Sequence, residues 1–215
     1  PCTDQDLAAD EGKGVVVSAL AVSPDGRYVA VGRENGKLER YDGAGLGDGL
    51  LLNPETAGER RAVESLAFSP DGKLLATSIL KYRATNQDYP RKDCEVAVLG
   101  MPEGRPVGPP RTIGGLVKAL AFSPDGRSLA VAGGEAQQIT LLDAQGRATD
   151  QEPQANGPGT VLWEAAFVDA KPTVAFSRSR PDGLGGIAWE GFDLVERRFT
   201  PVAPGTALSR AVRST

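Results

Sequence analysis

Three Ser-Pro-Asp-Gly tetrads place carboxylates at Asp25, Asp71 and Asp125, and these are the side chains that most invite a catalytic reading. Each sits between a Pro that fixes φ and a Gly free to take positive φ, so a tight turn accounts for all three. Without any His, neither a Ser–His–Asp nor a Cys–His nucleophilic system can be assembled within the chain. Cys2 and Cys94 lie too far apart in sequence to form a metal site by themselves, and nothing supports a bridge between them. Gly43–Gly49 (GAGLGDG) lacks the Lys-Ser/Thr of a phosphate-binding loop and runs into Leu50–Leu52 and Pro54 rather than into a helix. Trp163 and Trp189 read as packing residues rather than stacking platforms. The expectation is therefore no catalytic residue, no cofactor and no metal.

The elements that carry these residues repeat. Ala19–Gly26 (ALAVSPDG), Ser65–Gly72 (SLAFSPDG) and Ala119–Gly126 (ALAFSPDG) align without gaps, with their serines 46 and 54 residues apart. A decayed fourth copy, Ala166–Ser177 (AFVDAKPTVAFS), aligns with Ala67–Ser78 and puts Val168 in the place of Ser123. A period near 45 residues is that of a propeller blade. Before each tetrad comes an alternating apolar run, with Val17, Ala19 and Ala21 on one face and Leu20 and Val22 on the other. After it comes another, at Tyr28–Val31, Leu74–Thr77 and Leu129–Ala132. These runs are short and bounded by Gly, Pro and Asp, which predicts strands. Apolar residues on both faces predict sheets sandwiched between neighbouring sheets. The tetrad is then the corner between the first and second strands.

A third strand is expected to close each unit: Leu38–Asp42 (LERYD), Val96–Gly100 (VAVLG), Ile139–Asp143 (ITLLD) and, loosely, Trp189–Asp193 (WEGFD). With Tyr41-Asp42, Leu142-Asp143 and Phe192-Asp193 at the strand ends, the chain resembles the WD-repeat β-propeller family, in its bacterial form, whose third strands end in Trp-Asp. Leu99-Gly100 departs from the pattern, and the family's Gly-His dipeptide is missing throughout. The resemblance implies an all-β protein of four-stranded antiparallel blades, about four of them, forming an incomplete part of a larger ring. The expected bounds are 15–56, 62–113, 116–155 and 160–203, with tails or closure segments at 1–14 and 204–215. Gly104–Gly115 looks like a blade-to-blade junction of such proteins. Without the His–Asp–Ser–Trp network of many family members, stability must rest on apolar packing between sheets.

One insertion explains the longer spacing: Lys81–Asp93 (KYRATNQDYPRKD), read as a polar loop between the second and third strands of the second blade. Lys81, Tyr82, Arg83, Tyr89, Arg91 and Lys92 are its candidate partner-binding residues, because loops on rigid scaffolds often carry recognition and aromatic–Arg pairs suit interfaces. A solvated excursion without a role is the competing reading. Ser177–Gly186 occupies the same position in the fourth blade and reads as a plain loop, and Asp143–Pro158 as a surface connection.

A net charge of −4 gives no basic footprint, so nucleic acid is not an expected partner. The apolar runs are too short for a transmembrane helix, so no membrane partner is expected either. The resemblance implies a non-catalytic interaction scaffold for a protein or peptide, within a larger regulatory protein, with self-association through exposed end blades as a further route. A TolB-like or peptidase-associated periplasmic propeller, and a metal-dependent propeller lactonase, are the alternatives. Two cysteines in 215 residues favour a reducing compartment and a cytoplasmic location, whereas a secretory signal ahead of Pro1 would indicate a periplasmic or secreted protein.

Overall fold

A computed structural model describes residues 16–43, 47, 49–52, 60–83, 91–150, 154–155, 162–168, 173–179, 187–196, 198–203 and 206. Among them there is no helix, and the chain forms four antiparallel sheets in sequence order. The first sheet is β1 (Val17–Val22), β2 (Tyr28–Arg33), β3 (Leu38–Asp42) and β4 (Leu50–Leu51). The second is β5 (Arg60–Phe68), β6 (Leu74–Arg83), β7 (Arg91–Gly100) and β8 (Arg105–Pro106), with β9 (Arg111–Gly114) also paired to β7. The third is β10 (Val117–Phe122), β11 (Ser128–Gly133), β12 (Gln138–Asp143) and β13 (Gln154–Ala155). The fourth is β14 (Leu162–Phe167), β15 (Thr173–Ser179), β16 (Ile187–Asp193) and β17 (Arg198–Pro201).

The Ser-Pro-Asp-Gly corners behave as their composition requires. Ser123 Oγ donates to Asp125 Oδ1 at 2.6 Å and accepts the Ser128 N–H at 2.9 Å, while Asp125 also accepts the Arg127 N–H at 3.0 Å. Ser23 and Ser69 repeat this arrangement. The three glycines take φ of 71°, 70° and 69°, a left-handed conformation that a Cβ would oppose. The fourth unit keeps the backbone bond without the hydroxyl: Val168 N–H donates to Thr173 O at 2.9 Å, just as Ser123 N–H donates to Ser128 O at 2.8 Å. The aspartates that end third strands cap the next turn. Asp143 accepts the N–H groups of Gln145 and Arg147, and Asp193 those of Val195 and Glu196.

Each neighbouring pair of sheets encloses its own apolar core, as expected for blades. Between the first and second sheets lie Ala19, Ala21, Ala30 and Leu38 against Val63, Leu66, Leu75 and Leu99. Leu80, Val96 and Val98 meet Leu120, Phe122, Leu129 and Leu142 between the second and third. Between the third and fourth, Ala121, Ala130 and Leu141 meet Phe167, Phe176 and Phe192. At the first and third of these junctions one partner presents alanines where the other presents larger residues. A fully buried Leu or Phe contributes about 1.5–3 kcal/mol, which makes these layers the dominant stabilising contribution.

Three segments differ from the sequence reading. The stretch Lys81–Asp93 is not a loop throughout: β6 runs on to Arg83 and β7 begins at Arg91, with Lys81 opposite Asp93, Tyr82 opposite Lys92 and Arg83 opposite Arg91. β5 starts early enough to flank them, pairing Arg60 with Tyr82 and Arg61 with Lys81. The ladder continues because Tyr82 packs against the second core and Lys81 Nζ pairs with Glu95. Gly104–Gly115 is more than a junction, since β8 and β9 both pair with β7 and form a fourth strand split at Val107–Pro110. Asp143–Pro158 contains β13, which pairs with β12. Residues 1–14, and 204–215 apart from Thr206, lie outside the described residues.

Candidate interaction face

The first strand of every sheet carries one register break, always near its start. Pairing shifts between Val17 and Ala19, Val63 and Ser65, Val117 and Ala119, and Leu162 and Glu164. The extra residues are Ser18, Glu64, Lys118 and Trp163. A bulge leaves its extra residue out of the ladder and re-aims that side chain. First strands pack on one another from sheet to sheet, β1 with β5, β5 with β10 and β10 with β14. The four bulge positions, Ser18, Glu64, Lys118 and Trp163, therefore form a row across the sheets. Ser18, Glu64 and Lys118 are half-buried and retain contact with solvent.

The residue just before the second, third and fourth bulges is gripped from the preceding sheet. Ser18 Oγ donates to Val63 O at 2.6 Å, Val117 N–H donates to Cys94 Sγ at 3.2 Å, and Leu162 N–H donates to Gln137 Oε1 at 3.0 Å. Val63, Val117 and Leu162 are fully buried, so these bonds satisfy backbone groups that water does not reach. Gln137 is the one non-glycine among the described residues at positive φ, 48°, and its Nε2 also donates to Gly134 O at 2.8 Å. Burial pushes the Cys94 thiol up to about 11, with the nearby charges of Glu64 raising it and Lys118 lowering it. Cys94 is a free, buried thiol.

The bulges lie at the end of the sheets where the second strand turns into the third, because Val17 pairs with Arg33 and Val63 with Ile79. That is the end from which the β6–β7 hairpin extends. Of the six sequence-derived candidates, Lys81, Tyr82, Arg83, Arg91 and Lys92 stand on the paired arms of this hairpin, and Tyr89 lies outside the described residues. Lys81 is held by Glu95 on its own sheet and Tyr82 is partly buried on the core, so both have structural roles. The bulge row went unseen in the sequence because a single extra residue inside VVVSALAV or GLVKALAF leaves the apolar pattern nearly intact. A break of alternation at Ser18, Glu64 and Lys118, each four residues before the last apolar residue of its run, is the signal that was there to find.

Other sites read as scaffold. Gly43 N–H donates to Arg27 O at 2.7 Å, and a Cβ there would strike Gly26 O, which makes it a turn glycine. Trp189 is half-buried in β16. Among the described residues, no group of three His, Cys, Asp or Glu side chains is placed to hold a metal ion, and no helix is long and apolar enough to cross a membrane.

The repeat architecture agrees with what comparison finds. The family model of the WD domain, G-beta repeat, matches residues 7–42 and 55–78, which include β1–β3 and reach from β5 into β6. A 75-residue stretch, 35% of the chain, is 35% identical to Actin-interacting protein 1-2 of Arabidopsis thaliana and covers 12% of that protein. The third and fourth sheets repeat the register of the matched ones, down to the bulge in the first strand. Four sheets of one register, two of them on matched repeats, make this chain similar to WD-repeat proteins, with an all-β fold of antiparallel sheets that suits propeller blades.

Proposed function

We propose that the chain is a non-catalytic module that binds a protein or peptide through the bulge end of its sheets, as part of a larger regulatory protein of the cytoplasm. The observation that carries this reading is the bulge row. Backbone geometry is the same in all four first strands, while the residue type at the bulge changes from Ser18 to Glu64, Lys118 and Trp163. A position fixed in shape and varied in chemistry suits recognition rather than folding, because folding would be served by one residue type used four times. The paired arms of β6 and β7 extend at the same end and supply a second contact. The matched relative is named for interaction with actin, which supports a protein partner in general and no particular partner here.

The test compares capture by the wild-type chain with capture by Glu64→Lys combined with Lys118→Glu, and by a deletion of Ala84–Pro90. The proteins retained by wild type are expected to be lost from the charge-exchanged chain and reduced with the deletion, at unchanged melting temperature. Equal retention by all three chains rejects the reading.

A further inference from the structure

The turn between β2 and β3 carries an Asn-Gly pair, Asn35-Gly36. Asn35 is exposed, while Gly36 is buried with φ of 82°. The glycine leans on the second sheet: a Cβ on it would come 2.6 Å from Arg61 Cβ, in β5. Three hydrogen bonds close the turn. Gly36 N–H donates to Arg33 O at 3.0 Å, Arg33 N–H to Lys37 O at 2.9 Å and Lys37 N–H to Asn35 Oδ1 at 3.1 Å. A further sheet beside the first would leave Asn35 exposed. The corresponding turn of the third sheet has a sheet packed on each side, and Glu135 and Ala136 at its tip are exposed as well.

We propose that Asn35 is a site of spontaneous deamidation, restrained by the packing of Gly36 on the second sheet, and that its product loosens that junction. The reaction needs only water. Gly36 N, its proton lost to solvent base, attacks Asn35 Cγ. The new N–Cγ bond closes a succinimide ring, the Cγ–Nδ2 bond breaks, and the side-chain nitrogen takes a proton from solvent and leaves as ammonia. Water then adds to one of the two ring carbonyls and opens the ring. Breaking the N–Cγ bond gives an aspartate, and breaking the bond from Gly36 N to the main-chain carbonyl carbon of residue 35 gives an isoaspartyl linkage. Glycine suits the first step because no side chain stands beside the attacking nitrogen. Lys37 N–H already donates to Oδ1, the atom on which negative charge develops as the ring closes.

The fold opposes that first step. Ring closure turns the Asn35–Gly36 peptide plane so that its nitrogen faces Cγ, which breaks the bond to Arg33 O and moves a glycine wedged against Arg61. The turn must lift from β5 to allow it, so the rate follows the fraction of chains in which this junction is open. The two products then differ. An aspartate keeps the same backbone and an oxygen for Lys37 N–H. An isoaspartyl linkage carries the main chain through Cβ and Cγ, adding one atom to the turn. Gly36 can then no longer keep both its bond to Arg33 O and its place against Arg61.

Mass-spectrometric peptide mapping of the full chain, aged in mildly alkaline buffer, tests this. Deamidation at residue 35 is expected to run roughly tenfold slower in the native chain than in urea, because only the open fraction reacts. Arg61→Gly, which removes the wedge, is expected to raise the native rate severalfold while circular dichroism stays that of the folded chain; the comparison with urea stands without that variant. The melting temperature of wild type is expected to fall further on ageing than that of Asn35→Gln aged alongside, in which every other residue ages in the same way. Equal rates in the native chain and in urea, no product at residue 35 in either, an unchanged rate in a folded Arg61→Gly chain, or equal falls in melting temperature overturn the proposal.

Discussion

The two ends of these sheets solve the problem of repetition in opposite ways. At the corner end, three of four units use the same residues in the same bonds: Ser hydroxyl to Asp carboxylate, backbone N–H to Ser, and Gly at φ near 70°. At the bulge end, geometry repeats and chemistry does not. Its bulge residues are Ser18, Glu64, Lys118 and Trp163, and the grips on the backbone come from a hydroxyl, a thiol and an amide. The corner has one way to close a short turn with local groups, and its solution is copied. A bulge needs only a partner for a buried backbone group, so any donor or acceptor from the preceding sheet that reaches it will serve. The bulge end is therefore free to vary.

The difference is tested most severely by breaking the shared geometry. Gly133 pairs with Val117 at the third bulge and has φ of 133°. A Cβ there would strike Leu116 O and lie 3.0 Å from Lys118 N, both backbone atoms that cannot step aside. Gly133→Ala is expected to cost about 3 kcal/mol in urea unfolding, from steric clash added to backbone strain. A loss below about 1 kcal/mol would mean that the bulge tolerates displacement and does not fix the row.

The corner end is expected to fail more gently. Ser123→Ala removes the acceptor for the Ser128 N–H and a donor to Asp125 together, and should cost about 1–2 kcal/mol. Val168→Ala, at the corner that never had the hydroxyl, should cost only its lost methyl groups. The corners also carry a pH signature. The Ser hydroxyls, and then the N–H groups of Arg27, Lys73 and Arg127, hold Asp25, Asp71 and Asp125 below their usual range. A carboxyl depressed on folding stabilises above its unfolded pKa, near 3.8, and that contribution is lost as pH falls through the lower folded value. Wild type should therefore lose stability below about pH 4, and Ser123→Ala should lose less over the same interval. Parallel acid profiles for the two chains would show that the Ser–Asp bond does not set the shift. These carboxylates are largely solvent-exposed, so each contribution is small.

How much of this was legible follows the same division. The corners are local, their residues adjacent in sequence, and Ser-Pro-Asp-Gly named both the turn and the strands on either side. Even the decayed copy was found by its apolar run, with Val168 keeping the Ser123 backbone bond. The bulge row depends on residues from different sheets, such as Cys94 with Val117 or Gln137 with Leu162, whose proximity no single-sequence spacing encodes. The β6–β7 arms look like loop in the sequence because Lys81, Arg83, Arg91 and Lys92 are residues of solvated segments. What makes them strand is pairing on both sides of Tyr82, with Arg60 and Lys92, and that is a tertiary property.

The smallest expected effect separates grip from filling. Cys94 is fully buried, and its sulfur accepts the Val117 N–H that would otherwise face an apolar core. Sulfur is a weak acceptor, so its replacement by oxygen in Cys94→Ser retains a partner and should cost about 1 kcal/mol, chiefly for setting a hydroxyl among apolar side chains. Cys94→Ala removes the acceptor and should cost more, about 2 kcal/mol, because a buried N–H is left bare. If filling alone mattered, Cys94→Ala would be the milder change, since Ala suits the apolar surroundings better than Ser. The thiol supplies an independent check. With its pKa pushed up to about 11 by burial, Cys94 should resist a thiol reagent at pH 8 in the native chain and react once urea unfolds it. Gln137→Ala, which frees Leu162 N–H at the next junction, should leave that resistance intact, because each bulge is held by its own grip.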